Sequence, residues 1–272
     1  MTTTLQAPPP FVFHAGTEPL LVSMPHMGTY LPPALASRLT DEARRVPDTD
    51  WHMDRLYAFA KDMGASILMA THSRYVVDLN RPSDNTSLYP GQSVTGLCPL
   101  DTFNDTPLYR EGMVPDAAEM SARVSTFWQP YHDQLRIELA RLRQQHGIAM
   151  LWDAHSIRSV LPRFFEGKLP DFNLGTAEGA SCDPALATTL LGIAQSIPGH
   201  SAVLNGRFKG GYITRHYGRP ADGTHAVQLE LALCSYMQES GDFEFVPEHA
   251  ERIQPHLRRL LDAVLAYAHR LA

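Results

Sequence analysis

Cysteine is scarce in this chain of 272 residues: Cys98, Cys182 and Cys234 are odd in number, scattered, and never in a C-x-x-C pair. That speaks against a disulfide framework and against a cysteine zinc site. No basic run with interleaved aromatics occurs, and the net charge is −6, so nucleic acid is not an expected partner. No apolar stretch reaches membrane-spanning length. The opening Met1-Thr-Thr-Thr-Leu-Gln-Ala-Pro-Pro-Pro lacks the basic start and apolar core of a secretory leader, and the expectation is a cytoplasmic protein without membrane contact. There is no repeat at a fixed period. A Gly-x-Ser-x-Gly elbow is also missing, and Ser156 is not in an elbow-like turn, so a serine triad is not expected.

What is present is an ordinary apolar fraction, 44%, in a chain long enough to bury a large core. Short runs rich in Val, Ile and Leu predict strands at Leu20–Met24, Ser66–Ala70, Tyr75–Leu79, Ile148–Trp152, Ala202–Leu204 and Ala226–Leu233. Pro8-Pro9-Pro10 reads as an extended lead-in to the first strand. Helical spacing appears over Asp50–Met63, Ala117–Gln145, Asp183–Ile197 and Pro247–Leu271, with Pro130 expected to break or kink the second of these. The alternation predicts an α/β fold with a mixed, mostly parallel sheet. Residues 1–272 are read as one domain. Two stretches rich in Pro, Gly, Asp and Asn, about 82–115 and 161–182, resist assignment and are expected to wall an active site.

Polar residues that close buried strands mark the candidate chemistry, because open α/β sheets place their sites there. His26 follows Leu20–Met24, and His155 follows Ile148–Trp152. Imidazole at a strand end suits a catalytic zinc, although a turn or core histidine is the plain alternative. Asp153, two residues before His155, shares its face of the strand and can fix the imidazole's tautomer. A third ligand can come from the acidic turn Asp48-Thr-Asp-Trp-His-Met-Asp54, where Asp50 also reads as a helix N-cap. Two His, one carboxylate and water make a catalytic site with an open position. Glu230 shares a face with Gln228 inside an apolar strand, which is costly for a carboxylate without a partner or a raised pKa. Such a glutamate beside a metal can serve as the base. Arg74, Asn80 and Arg81 flank one run, and arginine matches a carboxylate bidentately. In Gly210-Gly-Tyr-Ile-Thr-Arg215, Tyr212 or Arg215 can contact a ligand, though an ordinary turn explains the segment nearly as well.

Seven segments in order carry a resemblance: Pro25-His-Met-Gly, Asp48-Thr-Asp-Trp-His, Ser73-Arg-Tyr-Val-Val-Asp-Leu-Asn-Arg-Pro, Pro130-Tyr-His, Asp153-Ala-His-Ser, Phe208-Lys-Gly-Gly-Tyr-Ile-Thr and His225-Ala-Val-Gln-Leu-Glu. From about Pro19 to Tyr236 the chain resembles the N-formylglutamate amidohydrolase (deformylase) family. The resemblance implies a three-layer, phosphorylase/hydrolase-like α/β/α fold of the zinc-carboxypeptidase kind. It implies a small-molecule substrate, N-formyl-L-glutamate, hydrolysed to formate and L-glutamate in histidine degradation. A more distant likeness to aspartoacylase and succinylglutamate desuccinylase implies roles. Arg74 would polarise the scissile carbonyl, Asn80 and Arg81 would bind a substrate carboxylate, and Glu230 would be the base. Those relatives carry His-x-x-Glu on the metal, whereas Thr29 stands three residues after His26 here. Asp50, rather than His52 or Asp54, is therefore taken with His26 and His155 to hold one divalent ion, with zinc expected. Tyr212 and Arg215 complete the expected substrate contacts. The rival readings are an amidohydrolase for another N-acyl acidic amino acid and a non-catalytic dicarboxylate-binding protein.

Overall fold

Central strands of a sheet covered on both sides have no solvent-facing register, so they are apolar at successive positions. A computed structural model, describing residues 7–88, 91 and 93–271, shows seven strands among those residues, the inner ones of this kind. They are β1 (Phe11–His14), β2 (Leu20–Met24), β3 (Ser66–Ala70), β4 (Ala149–Ile157), β5 (Phe172–Gly175), β6 (Ala202–Leu204) and β7 (Thr224–Ala232). They form one sheet in the order β1-β3-β2-β4-β7-β5-β6. β3, β2, β4 and β7 run parallel, β1 is antiparallel to β3, and β5 is antiparallel to β7 while carrying β6 parallel. The helices are α1 (Pro33–Ala36), α2 (Met53–Leu56), α3 (Phe59–Asp62), α4 (Ala117–Arg123), α5 (Gln129–His146), α6 (Pro184–Gln195), α7 (Tyr212–Tyr217) and α8 (Pro247–Leu271). No helix of the described residues is long and apolar enough to cross a membrane.

Side-chain alternation divides the two faces. Leu20, Val22, Met150, Trp152, Val227 and Leu229 point one way, into a core with Met53 and Leu56 of α2, Leu186 and Leu190 of α6, and Ile253, Leu257 and Leu260 of α8. Leu21, Leu151 and Ala226 point the other way, onto Tyr131, Leu135, Leu139 and Leu142 of α5 and Ile213 of α7. The result is three α/β/α layers around a mixed, mostly parallel sheet, as expected. On the α5 and α7 face the apolar residues give out toward the strands' carboxyl ends. Ser23, Asp153, His155, Gln228 and Glu230 take their place, all buried. The register sets Ser23 beside Asp153, Asp153 beside Gln228, and His155 beside Glu230.

Four expectations need correction. Tyr75–Leu79 is not a strand but a chain of turns, with Val76 N bonded to Ser73 O and Arg81 N to Asp78 O. Its apolar residues are buried between two cores, and burial without a ladder looks the same in sequence as a buried strand. Asp50 caps no helix: α2 begins three residues later behind His52, which adopts φ 59° and makes no side-chain cap. Pro130 does not break its helix. A wide π turn at Val124–Trp128 leads from α4 into α5, so Pro130 falls in a first turn, where its missing N–H costs little. β4 also runs on to Ile157, so Asp153 and His155 lie within the strand rather than after it. The Pro-rich lead-in reaches β1, a strand the sequence reading did not assign, and the 161–182 stretch contains β5.

Candidate active site

His26 leaves the end of β2 in a turn, and His155 projects from β4 near its carboxyl end. Both are almost wholly buried. Their Nδ1 atoms approach one carboxylate oxygen, Asp50 Oδ2, at 3.8 Å from His26 and 3.2 Å from His155. The two rings lie 4.9 Å apart between centroids. One ligand atom from each of His26, Asp50 and His155 lies within 4.8 Å of the others. Asp50 reaches this point because its backbone N–H donates to His26 O at 3.1 Å, which sets the acidic turn against the end of β2. His52 and Asp54 do not reach it: His52 Nε2 turns to Phe243 O at 2.8 Å, and Asp54 is exposed.

The far side of each imidazole is held by a second buried carboxylate. His26 Nε2 donates to Asp78 Oδ1 at 2.7 Å, and His155 Nε2 lies 3.1 Å from Asp153 Oδ2 as an ion pair. The Asp78 bond requires the Nε2–H tautomer of His26 and leaves its Nδ1 as the lone-pair nitrogen, while His155 Nδ1 faces Asp50 Oδ2 and would offer its lone pair there once a metal replaced the proton between them. Two such nitrogens with one carboxylate oxygen form a donor set that suits a divalent ion of the zinc type. Burial, reinforced by the Arg74 charge, lowers the pKa of His26, which favours the neutral ligand form. Burial also opposes the charged form of His155, but the carboxylates of Asp153 and Asp50 outweigh it and raise its pKa. Asp78 has the reverse balance. Burial disfavours its charge, while Arg74 and His26 hold it well below the usual carboxylate range.

Arg74 is fixed by Asp78, with Nη2 donating to Asp78 Oδ2 at 2.6 Å and the guanidinium carbon 4.7 Å from the centre of the Phe103 ring. Its Nε is buried and has no hydrogen-bond partner among the described residues. Glu230 lies on the face of β7 that meets His155. Burial, together with Asp50 and Asp153 and against the pull of His155 and Arg74, pushes its pKa up to about 8. Gln228 Nε2 approaches Glu230 Oε2 at 3.4 Å, and its Oε1 accepts from Gly211 N at 2.7 Å. A side chain at Gly211 would lie 2.3 Å from Asn80 Nδ2, so glycine there lets the loop close on Asn80.

These groups line one cavity at the carboxyl ends of the central strands. Ser93, Val94 and Phe103 come from the first unassigned stretch and Phe164 from the second, so both contribute walls.

The family profile described as N-formylglutamate amidohydrolase matches residues 18–237. The chain belongs to the N-formylglutamate amidohydrolase family. It is 54% identical over 255 residues to an N-formylglutamate deformylase of Pseudomonas putida, covering 94% of this chain and 95% of that one. It is 55% identical to the enzyme of the same name from Pseudomonas aeruginosa, covering 94% and 96%. Among solved structures it resembles the N-formylglutamate amidohydrolase of Ralstonia eutropha JMP134, with a TM-score of 0.82 at 26% identity over 97% of this chain and 99% of that one.

For this family member, the expected site residues separate into groups. His26, Asp50, His155, Arg74, Asn80, Arg81 and Glu230 are gathered around the cavity, with Asp153 behind His155. Asn80 has its Oδ1 committed to Ile213 N at 2.8 Å, and its Nδ2 lies 3.0 Å from His155 Nε2. That contact and the Asp153 ion pair meet at the same His155 nitrogen, so which of the two it serves depends on whether the nitrogen carries a proton. Arg81 is spread over neutral oxygens, with Nε to Thr95 O at 2.9 Å, Nη2 to Thr95 Oγ1 at 3.1 Å and Nη1 to Asn80 O at 3.0 Å. Tyr212 and Arg215 are not among the lining residues. Tyr212 stacks on His216 at 4.8 Å, and Arg215 Nε donates to Gly210 O at 2.8 Å. The sequence reading assigned no role to two residues of the site. Asp78 lies inside the Ser73–Pro82 segment, where a buried acid two residues before Asn80 was the available signal. Arg207 stands one residue before Phe208-Lys-Gly-Gly and lines the cavity.

Proposed function

We propose that this chain hydrolyses N-formyl-L-glutamate to formate and L-glutamate, using one divalent ion held by His26, Asp50 and His155, with zinc favoured by the donor set. The observation that carries the reading is the convergence of these three groups beneath Glu230 and Arg74 in one cavity. More than half identity to named deformylases over nearly the whole chain supports the substrate.

When bound, the ion would polarise the formyl oxygen and bring the pKa of water toward neutrality. Glu230 accepts the proton of the attacking water and returns it to the departing glutamate nitrogen. Burial raises the Glu230 pKa, so it retains a proton it has taken better than an exposed carboxylate, and the charge of a bound cation would favour the ionised form in which it starts. Arg74, kept rigid by Asp78, presents its unspent Nε–H to the carbonyl oxygen as that atom gains charge, at no cost in reorganisation. Arg81 exchanges bonds to neutral oxygens for a charge-assisted pair with a substrate carboxylate. Asn80 supports this pair by holding α7 against the His155 strand. A formyl group offers almost nothing to grip, so recognition falls on the glutamate portion. The two long loops at about 82–115 and 161–182 serve as the walls that provide it.

Formate release from N-formyl-L-glutamate, measured before chelation, after it, and after zinc is restored, tests the reading. Activity lost to chelation and regained with zinc supports it. Metal-loaded protein that releases formate from no formyl amino acid overturns it, and faster turnover of N-acetyl or N-formimino glutamate moves the assignment to that acyl group.

A further inference from the structure

N-formyl-L-glutamate carries two carboxylates, and the site expected from sequence supplies only one arginine placed to receive them. Arg74 is committed to Asp78. Arg215 bonds back to Gly210 O and is not among the lining residues. Arg81 leaves the same turn as Asp78, whose carboxylate bonds His26, so it serves the carboxylate nearest the formamide.

Arg207 supplies the second cation. It follows β6, at the sheet edge beyond β7 and β5, and lines the cavity together with Arg81; the two arginines hold the same loop two residues apart, Arg207 at Ser93 and Arg81 at Thr95. Its Nε donates to Phe164 O at 2.6 Å, and its Nη2 donates to Ser93 O at 3.1 Å. The guanidinium lies 5.5 Å from the Phe208 ring centre and 5.9 Å from that of Phe164. A planar cation flanked by aromatic rings and held by two carbonyls from two different loops is preorganised, which lowers the entropy cost of binding an anion. The α-carboxylate of the substrate is one carbon from the amide nitrogen, and the side-chain carboxylate is three carbons out. With the formamide at the His26–Asp50–His155 end, only the outer carboxylate extends toward the loop walls.

We propose that Arg207 binds the side-chain carboxylate of the substrate and thereby sets the preference for an acidic N-formyl amino acid. The assignment rests on the deformylase reading above. The plain alternative is that Arg207 only fastens the two loops together.

The two are separated by kinetics on N-formyl-L-glutamate and on N-formyl-L-glutamine, which has nearly the same shape without the charge. Arg207→Gln should lose about 10- to 100-fold in kcat/KM on the glutamate substrate, the range of a charge-assisted hydrogen bond, mainly through KM. It should change little on the glutamine substrate, so the preference collapses. Arg207→Lys should recover part of the preference. A fastener predicts equal loss on both substrates with the preference intact, and that result overturns the assignment. An Arg207→Gln protein too unstable to assay would leave the decision to Arg207→Lys, whose full retention of affinity and preference with bidentate geometry gone would also overturn it. If the metal-loaded wild-type chain releases no formate from either substrate, the deformylase reading falls and takes this assignment with it.

Discussion

Asp78 Oδ1 accepts the Nε2 proton of His26 at 2.7 Å, while the other oxygen of the same carboxylate takes Arg74 at 2.6 Å. One fully buried acid therefore orients the imidazole proposed to bind the metal and the guanidinium proposed to stabilise the oxyanion. The two are coupled through it, and a change at Asp78 must be felt at both.

Asp78→Asn keeps the shape but places an amide nitrogen against either Arg74 or His26. Metal affinity should fall by about 10- to 100-fold, as when other carboxylate supports of ligating histidines are removed. Arg74 would lose its hydrogen-bonded charge partner and keep only the more distant Asp50 and Asp48, at a cost in folding stability of up to about 3–5 kcal/mol. Competition titration with a chromophoric chelator and urea unfolding read the two effects separately. Wild-type zinc affinity in this variant would show that the contact to His26 has no role in holding the metal.

Much of the site was legible because its residues stand where an apolar run gives way to polar side chains toward the carboxyl ends of buried strands. β2, β3, β6 and α8 have the bounds read from the sequence. His26 and His155 were named from local context, Asp50 was chosen from its acidic turn after the resemblance left Thr29 in place of a glutamate ligand, and the fold brings the three within 4.8 Å of one another. Asp78 was missed for a physical reason. Of its two partners, Arg74 is four residues away in a run that read as a strand, where i and i+4 do not meet, and His26 is 52 residues away, a contact no local pattern marks. The apolar run around it suggested a strand, whereas the segment is a turn stabilised by Asp78 Oδ1 accepting from Asn80 N at 2.9 Å. Arg207 was missed because its neighbours Phe208 and Gly210–Gly211 drew attention to Tyr212 and Arg215. The helical turn that begins at Tyr212 carries those two toward Trp128 and Gly210 instead of into the cavity.

Glu230→Gln tests the base directly. The amide can keep a contact with Gln228 but cannot accept a proton from water. Turnover should fall by about 10²- to 10⁴-fold, with metal stoichiometry unchanged and the Michaelis constant little affected. Single-turnover formate release on zinc-loaded protein is the measurement. Turnover within a few-fold of wild type would remove Glu230 from the mechanism.

His132 offers a pH test of how the site is supported from behind. Its ring stacks on Trp128 at 3.7 Å, Nε2 donates to Leu79 O at 2.8 Å, and Nδ1 lies 3.0 Å from the Tyr217 hydroxyl. Trp128 Nε1 donates to Arg81 O at 2.9 Å, so the start of α5 grips the turn that carries Asn80 and Arg81 at two carbonyls. Burial lowers the His132 pKa from 6.5 to about 3, against the opposing pull of the Leu79 carbonyl. With the folded value below the unfolded one, the neutral ring's stabilisation is complete above pH 6.5 and is lost as the pH falls toward 3, at about 1.4 kcal/mol per pH unit. His132→Gln keeps a donor for Leu79 O but has nothing to titrate. Between pH 7 and pH 5 its unfolding free energy should therefore fall by about 2 kcal/mol less than that of wild type. The comparison must be a difference of differences. Burial also lowers the pKa of His72, His216, His225 and His256, and their contributions, common to both proteins, cancel. Parallel pH profiles for the two proteins would mean that His132 is not held neutral by its burial. The grip of α5 on the Arg81 turn would then rest on Trp128 alone.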